Sequence, residues 1–432
     1  MKTALLLFVA STAQGATLKE LLDAADQNNL DRRISAEARE RAAAEYRQAW
    51  TALLPSLTTQ AAWTNNQYPA EFDQPVFDEN SMPVIGPDGK AVTRRLVIIP
   101  KNQLDATFRF DLPLIDTGRW FRAMAGAAGS DAAVRREEYT RDLVRRQVIS
   151  AWYGYAAALA VRESAKRSTK VADAQAELQE IRAKAGAATE LEMLRARAEA
   201  QRNRQVVADT ESLVATSRRT LRTLSGLDPG DTAALPSDDV HQEAPFEELE
   251  KNVDALPQVQ AADRDAEAAG KLATAQRLAV LPTVGAQFTE RVTNATGFQG
   301  QPNVYNAGIV LQWRLDAPTF MGMGVAAANE STAAIGAERA RIVARDQIHS
   351  DWQRWNAALH KLDAAKAQLE AAQRAAQVAR DRYAAGAATQ IDVIQAERDL
   401  FSSEVAQIQA RTELASARLS LRISSGQPLQ VE

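Results

Sequence analysis

The chain has 432 residues, of which 46% are hydrophobic and 25% are charged, a composition that suits two or more folded domains. Its 51 basic and 55 acidic side chains give a formal net charge of -4, which excludes the strongly basic surface of a nucleic-acid-binding protein. The absence of cysteine excludes disulfides, thiolate metal sites, cysteine nucleophiles and a lipid anchor on an N-terminal cysteine.

The N-terminal segment combines a basic Lys2, an apolar run from Ala4 to Ala10, and small residues around Ala13 and Ala16. This order is typical of a secretory signal peptide, which we predict over residues 1–16; a short buried N-terminal helix is the alternative. No later apolar run approaches the roughly 20 residues of a membrane-spanning helix. Contact with a membrane would therefore need another kind of structure.

Alternation with a period of two predicts four β-strands, two in each half of the chain. The segment "QLDATFRFDLPL" (103–114) places apolar and polar side chains on opposite faces, and "YNAGIVLQWRL" (305–315) repeats this pattern. Each is preceded by a segment in which an alanine-rich helix ends near a proline and a strand begins. These segments are "LLPSLTTQAAW" (53–63) and "VLPTVGAQF" (280–288).

The connections within the two strand pairs differ in length. The first, from about Tyr68 to Lys101, is long and rich in proline, aspartate and glycine, whereas the second, near Asn294 to Asn303, is short. We predict a loop for the long connection and leave its role open.

The strands are about ten residues long, which is the length that crosses a membrane at a tilt. Four strands cannot close a barrel, because the smallest membrane barrels have about eight. Open strand edges are excluded from lipid, since their backbone groups would lack hydrogen-bond partners. If these strands lie in a membrane, several chains must therefore share one barrel.

Two long stretches contain no proline, from Pro113 to Pro229 and from Pro318 to Pro428, and both are rich in helix-forming residues. Each is interrupted by the same "GAAT" segment, 200 residues apart. Glycine can end one helix and threonine can cap the next, so each stretch is predicted to be a helical hairpin. The first incoming helix, about 120–184, would be roughly 95 Å long.

The helix after the second turn carries apolar residues at seven of nine positions with the three-and-four spacing of a coiled-coil seam. These positions are 391, 394, 398, 401, 405, 408, 412, 415 and 419. The order of helix, strand, loop, strand, long helix, turn and helix therefore occurs twice. We predict a first repeat at 17–226, a polar connector with small helices at 227–256, a second repeat at 257–426, and a tail at 427–432.

Motifs for catalysis or cofactor binding are weak. "GMGVAA" (322–327) satisfies a loose dinucleotide fingerprint, but "DAPTFM" separates it from the strand and no βαβ unit follows. His349 and His360 have no acid or thiol cluster beside them that would make a metal site. With no convincing nucleophile, acid–base pair or phosphate loop, we predict no enzyme, no cofactor and no metal.

The combination of these parts resembles the TolC-like outer-membrane efflux channels. The resemblance rests on the strand entries "LPSL" (54–57) and "LPTV" (281–284), the "DTGR" step (116–119), and the two "GAAT" turns followed by Glu192 and Asp392. It implies a mainly α-helical chain with a membrane β-barrel. Three copies would each give four strands to one twelve-stranded barrel that continues into a long α-helical tunnel, with the connector in a belt around it.

The resemblance also implies sites at the turns. A periplasmic adaptor would dock on the two hairpin tips, and Glu192, Tyr383 and Asp392 would form the gate and constriction of the channel. The tips comprise Gly186, Ala187, Ala188, Thr189, Gly386, Ala387, Ala388 and Thr389. The family's gating arginine would fall at Ala388 and its second constriction aspartate at Gln395.

Ordinary structural roles remain open for the same residues. Glu192 and Asp392 could be solvated acids in the first turn of a helix, where the helix dipole favours them. Tyr383 could simply pack between helices.

The resemblance implies a passive outer-membrane channel subunit of a tripartite efflux or type I secretion system in a Gram-negative bacterium, spanning into the periplasm. Its partners would be two further copies, a periplasmic adaptor (membrane fusion protein), outer-membrane lipid and, indirectly, an inner-membrane transporter, but no nucleic acid. A periplasmic adaptor or coiled-coil scaffold is the alternative. That alternative predicts one hairpin and a glycine-rich lipoyl-like or barrel domain. The sequence does not identify the substrate.

Overall fold

The two proline-free stretches are helical hairpins, as the sequence predicts, in a computed structural model that describes residues 15–237 and 239–429. The predicted signal peptide falls largely on residues 1–14, and part of the tail on residues 430–432, which lie outside the described residues. Gly15 and Ala16 are described, and the Ala16 amide donates to the Pro229 carbonyl at 3.1 Å.

Helices and strands follow the predicted order, except that the first helix is split in two and a strand pair stands where a loop was predicted. The helices are α1 (Leu18–Asn28), α2 (Leu30–Thr51), α3 (Thr117–Lys184), α4 (Glu190–Ser225), α5 (Phe246–Leu249), α6 (Pro257–Arg277), α7 (Ala317–Ala384) and α8 (Gln390–Ser424). The strands are β1 (Ser56–Asn65), β2 (Ala70–Pro75), β3 (Thr93–Ile99), β4 (Asn102–Ile115), β5 (Thr283–Thr293) and β6 (Asn303–Gln312). Among the described residues, no helix is both long enough and apolar enough to span a bilayer.

Contacts divide the chain into two units. The helical unit comprises Met1–Arg41, Asp131–Arg264 and Ile335–Glu432, and the sheet unit comprises Ala42–Ser130 and Asp265–Ala334.

The sheet unit contains the four predicted strands as one antiparallel sheet in the order β1-β4-β5-β6. The register places Phe110 opposite Leu57 on one side and opposite Phe288 on the other, so apolar side chains share a face as the period-two pattern predicts. Both outer strands, β1 and β6, are exposed along their whole length. The sheet therefore has two open edges within a single chain.

The long connection at 68–101 is not a plain loop, which corrects the prediction. It contains β2 and β3 as a second antiparallel pair. Beyond that pair, the amides of Val76, Val84 and Val92 each donate to a carbonyl of another of the three, all at 2.8 Å. The prolines, glycines and aspartates of this segment lie in its tight turns. Because these residues dominate the composition, the short strands between them are not evident from the sequence. Phe72 of β2 packs edge-to-face on Phe298 of the shorter connection, with ring centroids 6.1 Å apart.

The helical unit has two clusters of buried apolar side chains. The first joins α1, α3, α4 and the end of α8, and includes Leu21, Val148, Tyr155 and Leu221. The second joins residues near α5 to α6, α7 and α8, and includes Val259, Ile348, Leu362 and Leu414. Each hairpin therefore packs with a helix that precedes its strands, α1 for the first hairpin and α6 for the second.

The single helix predicted before β1 is two helices that meet at Asn29. The Asn29 side-chain oxygen accepts from the Asp31 amide at 2.9 Å, and its amide nitrogen donates to the Leu224 carbonyl at 3.0 Å. Asn29 therefore caps α2 and also holds the end of α4, which explains the break.

The predicted seam on α8 is only partly buried. Ile408, Thr412 and Leu419 are buried, whereas Ile391 is 50% exposed. The reason is that α8 has two contact stripes: Leu419 belongs to the first apolar cluster, and Leu414 to the second. A single heptad seam does not describe a helix that packs on two sides.

Candidate functional site

Both "GAAT" segments form tight turns. Gly186 has a φ of 73° and Gly386 a φ of 74°, in the left-handed region that glycine adopts without strain. The next amide in each turn bonds back to the last helical turn: Ala187 to the Arg182 carbonyl at 2.8 Å and Ala387 to the Arg382 carbonyl at 2.7 Å. These bonds satisfy carbonyls at the end of the incoming helix, as in a Schellman motif.

The threonine of each turn caps the outgoing helix. The Thr189 hydroxyl accepts from the Glu192 amide at 3.3 Å, and the Thr189 amide donates to the Glu192 carboxylate at 2.7 Å. Thr389 and Asp392 make the same reciprocal pair, at 3.4 and 2.8 Å. Each candidate constriction acid is therefore held by its own turn in a capping box.

The capping bonds also fix the charge of these two acids. The pKa of Glu192 is lowered, chiefly by the hydrogen bond from the Thr189 backbone amide and next by the Thr189 hydroxyl. The pKa of Asp392 is lowered, chiefly by the Thr389 hydroxyl and next by its backbone amide. Hydrogen bonds to a carboxylate favour its charged form. Both side chains therefore stay negative at neutral and mildly acidic pH.

Tyr383 lies in the last turn of α7 and is half-buried. Its hydroxyl accepts from the Gln179 side-chain amide at 2.6 Å and from the Arg182 guanidinium at 2.9 Å. The Arg182 guanidinium carbon also lies 5.4 Å from the centre of the tyrosine ring. Since Gln179 and Arg182 belong to α3, Tyr383 joins the ends of the two incoming helices.

Gln179 and Arg182 were not predicted as site residues from the sequence. They lie three residues apart on one face of α3, which is the spacing that lets two side chains reach one group. Tyr383 aligns with Ala183 across the 200-residue repeat. The internal repeat therefore identifies the end of α3 as the region equivalent to Tyr383.

The remaining predicted tip residues lie in the turns. Ala187 and Ala387 are exposed, and Ala388 is half-buried. Ala388 stands where the family's gating arginine would fall, and it carries no charge. The cation beside Tyr383 is instead Arg182 of the other hairpin. Gln395 is exposed on α8.

The weak dinucleotide and histidine motifs of the sequence both lie in α7. Residues 322–327 lie inside α7, so they form no loop between a strand and a helix. His349 packs edge-to-face on Phe246, with ring centroids 5.2 Å apart. Within residues 15–237 and 239–429, no group of three or more histidine, cysteine, aspartate or glutamate side chains is placed to hold a metal ion.

Comparison with known proteins agrees with this architecture. The model of the outer membrane efflux protein family matches residues 21–227 and 253–427. No curated protein sequence matches the chain significantly.

Three solved structures share the fold at low sequence identity. The Campylobacter jejuni outer membrane channel CmeC has a TM-score of 0.79 and 16% identity, covering 98% of this chain and 90% of that one. The Vibrio cholerae outer membrane protein VceC has a TM-score of 0.76 and 17% identity, covering 96% and 97%. The open state of the Neisseria gonorrhoeae MtrE outer membrane channel has a TM-score of 0.74 and 17% identity, covering 97% and 93%.

Proposed function

This chain belongs to the outer membrane efflux protein family, and we propose that three copies of it form one passive channel. Membership makes it an outer-membrane channel subunit of an efflux system. The alternative of a periplasmic adaptor or scaffold is wrong, because the family match covers both halves of the chain and each half has a hairpin.

The main support for a trimer is the pair of open edges of the sheet. All neighbouring strands in the order β1-β4-β5-β6 are antiparallel, so β1 and β6 run in opposite directions. The β6 edge of one copy can therefore pair with the β1 edge of the next and keep the sheet antiparallel. Three copies would supply twelve strands, which exceeds the minimum of about eight for a closed membrane barrel.

The two faces of the sheet suit lipid on one side and water on the other. One face carries aromatic and aliphatic side chains, including Leu57, Phe108, Phe110, Phe288 and Ile309. The opposite face carries charged and polar groups. There Arg291 and Asp105 lie 2.6 Å apart, and Arg109 and Asp111 lie 3.0 Å apart. Membrane barrels place the apolar face outward and the polar face toward the lumen.

The first test of the trimer is the native mass of the full chain extracted with detergent from outer membranes. We expect a particle of three times the chain mass, because open strand edges are not tolerated in lipid. A monomer or dimer in the soluble periplasmic fraction would contradict the shared barrel. The same measurement with a periplasmic adaptor added should give a larger particle if the exposed tips around Ala187 and Ala387 are the docking site.

We propose further that Glu192 and Asp392 of the three copies line the narrow end of the tunnel. A ring of fixed carboxylates concentrates cations and repels anions. The capping boxes support this role, because they hold both carboxylates in a defined position and keep them charged.

The double variant Glu192→Gln, Asp392→Asn should lose most of the cation selectivity of the channel. Each amide oxygen can still accept the threonine amide bond, so the turns should persist while the charge is removed. Reversal potentials across a salt gradient provide the measurement. The parent channel should keep its selectivity from about pH 7 to about pH 5, since its lowered pKa values lie below those of ordinary carboxyl groups, which are about 4.

Glu190→Gln is the matched control, because Glu190 lies in the same first turn of α4 but outside the capping box. The control should shift the reversal potential less than the double variant does. Equal selectivity in the double variant and the parent channel would exclude the ring.

A further inference from the structure

A cavity of about 350 Å³ lies between α3, α4 and α8 inside the helical unit. It is lined on α8 from Gln390, directly after the capping Thr389, to Ser402. Its volume falls within the range of small-molecule binding sites, about 300–1,000 Å³. It is separate from the Tyr383 contacts, since Tyr383, Gln179 and Arg182 are not among its lining residues.

Gln390 is the unusual residue of this cavity. It is only 4% exposed, and neither its side-chain oxygen nor its side-chain nitrogen has a hydrogen-bond partner among the described residues. Leaving a buried amide unpaired is unfavourable, so such groups in proteins normally have a partner. The side chain offers one acceptor and a donor side by side at the cavity wall.

Three charged groups of the wall, Glu199, Glu397 and Arg398, have ion-pair partners. The Arg398 guanidinium donates to Glu199 through Nε at 2.9 Å and through a second nitrogen, which joins α8 to α4. Glu397 lies 3.3 Å from Arg380. Arg202 and Asp399 also line the cavity, and both are exposed.

Much of the remaining wall is apolar, with Val171, Val206, Val393 and Phe401 among its residues. Apolar walls with a few converging polar groups are the usual composition of a small-molecule site. Because Glu199, the buried acid of the wall, is already paired with Arg398, the wall favours an uncharged ligand. The unpartnered amide favours a ligand that both donates and accepts.

We propose that this cavity binds a compact neutral molecule in which a carboxamide is attached to an apolar body, with the carboxamide paired to Gln390. The ligand would contact the first turns of α8 and both helices of the first hairpin. All of its lining residues belong to one chain, and the proposal concerns ligand binding rather than conduction.

Benzamide and a single cysteine test the proposal in the full-length chain, which has no cysteine of its own. Ser402→Cys places a thiol at the exposed rim of the cavity. We expect benzamide to slow modification of this thiol by a charged methanethiosulfonate reagent. For a ligand of this size, half-protection is expected on the order of 1 mM.

Three further variants separate a specific site from general effects. Gln205→Cys, on an exposed part of α4 outside the cavity, should react at the same rate with and without benzamide. In the Ser402→Cys chain, Gln390→Leu should abolish the protection because it removes both amide atoms. Val206→Phe, which fills the cavity and keeps Gln390, should abolish it as well.

The outcomes decide between binding and its absence. Saturable protection of Ser402→Cys that disappears in both second-site variants supports the site. The absence of protection up to the solubility of benzamide overturns it. Protection that survives Val206→Phe overturns it too, since the filled cavity could not hold the ligand; this variant also decides the matter if Gln390→Leu fails to fold.

Discussion

Replacement of Tyr383 with phenylalanine is expected to raise the conductance of the channel. The variant keeps the ring and its contact with the Arg182 guanidinium but removes the hydroxyl that accepts two hydrogen bonds from α3. Gln179, which is fully buried, would then lose the bond that its side-chain nitrogen makes. The ends of the two incoming helices would be held together less firmly, and the tip would open more often.

The expected size of this effect follows from the two lost bonds. One donor is a neutral amide and the other a guanidinium, so the loss amounts to about 2 kcal/mol or more per copy. Since each 1.4 kcal/mol is a factor of ten, the ratio of open to closed tips should rise about 30-fold.

Single-channel recording in planar bilayers measures this ratio. Tyr139→Phe is the matched control, because Tyr139 is also half-buried on a long helix but its hydroxyl makes no hydrogen bond to another described residue. The control should conduct like the parent channel. If Tyr383→Phe and Tyr139→Phe were indistinguishable, Tyr383 would be an ordinary packing residue and the gate would lie elsewhere.

The turns themselves could be predicted from the sequence because their determinants are local. A glycine at a left-handed position and a threonine followed three residues later by an acid act within a few residues of chain. Gly186 and Thr189, and their counterparts 200 residues later, therefore form the predicted turns. The four long strands could be predicted for the same reason, since alternation is a local pattern.

The partners of Tyr383 could not be predicted in the same way. Gln179 and Arg182 lie about 200 residues away in sequence and meet Tyr383 only after both hairpins have folded. Helical spacing shows that the two side chains share a face, but it does not show which helix that face contacts. The hairpin of β2 and β3 was missed for a different reason, because the turn-forming residues around its strands dominate the composition of the segment.

Asp351 is a further residue whose importance only the folded chain reveals. It lies on α7 with its side chain 1% exposed, and its carboxylate accepts from the Arg146 guanidinium of α3 at 2.9 Å and from Gln347 at 3.0 Å. Arg146 also donates to the Ser420 carbonyl of α8 at 3.3 Å. In the sequence, Asp351 is one of many acids on a long helix. In the fold, its pair with Arg146 links three helices.

Asp351→Asn should therefore destabilise the helical unit by about 3 kcal/mol, near the lower end of the range for breaking a buried ion pair. The lower end applies because the Arg146 side chain is 24% exposed and water can solvate part of its charge. Denaturant unfolding of the detergent-solubilised chain, followed by tryptophan fluorescence, measures the loss. Trp352 and Trp355 lie beside Asp351 on α7 and serve as native probes.

Glu413→Gln is the matched control for this prediction. Glu413 pairs with Lys361 at 2.9 Å, also between α7 and α8, but these side chains are 49% and 58% exposed. Exposed pairs contribute about 0–1 kcal/mol, so the control should unfold almost like the parent chain. Removing both partners, in Arg146→Met with Asp351→Leu, should recover much of the stability because no buried charge is left unpaired. Arg354, which lies 3.7 Å from the Asp351 carboxylate, is 71% exposed and remains solvated. If Asp351→Asn lost no more stability than Glu413→Gln, the buried pair of Asp351 and Arg146 would not stabilise the helical unit.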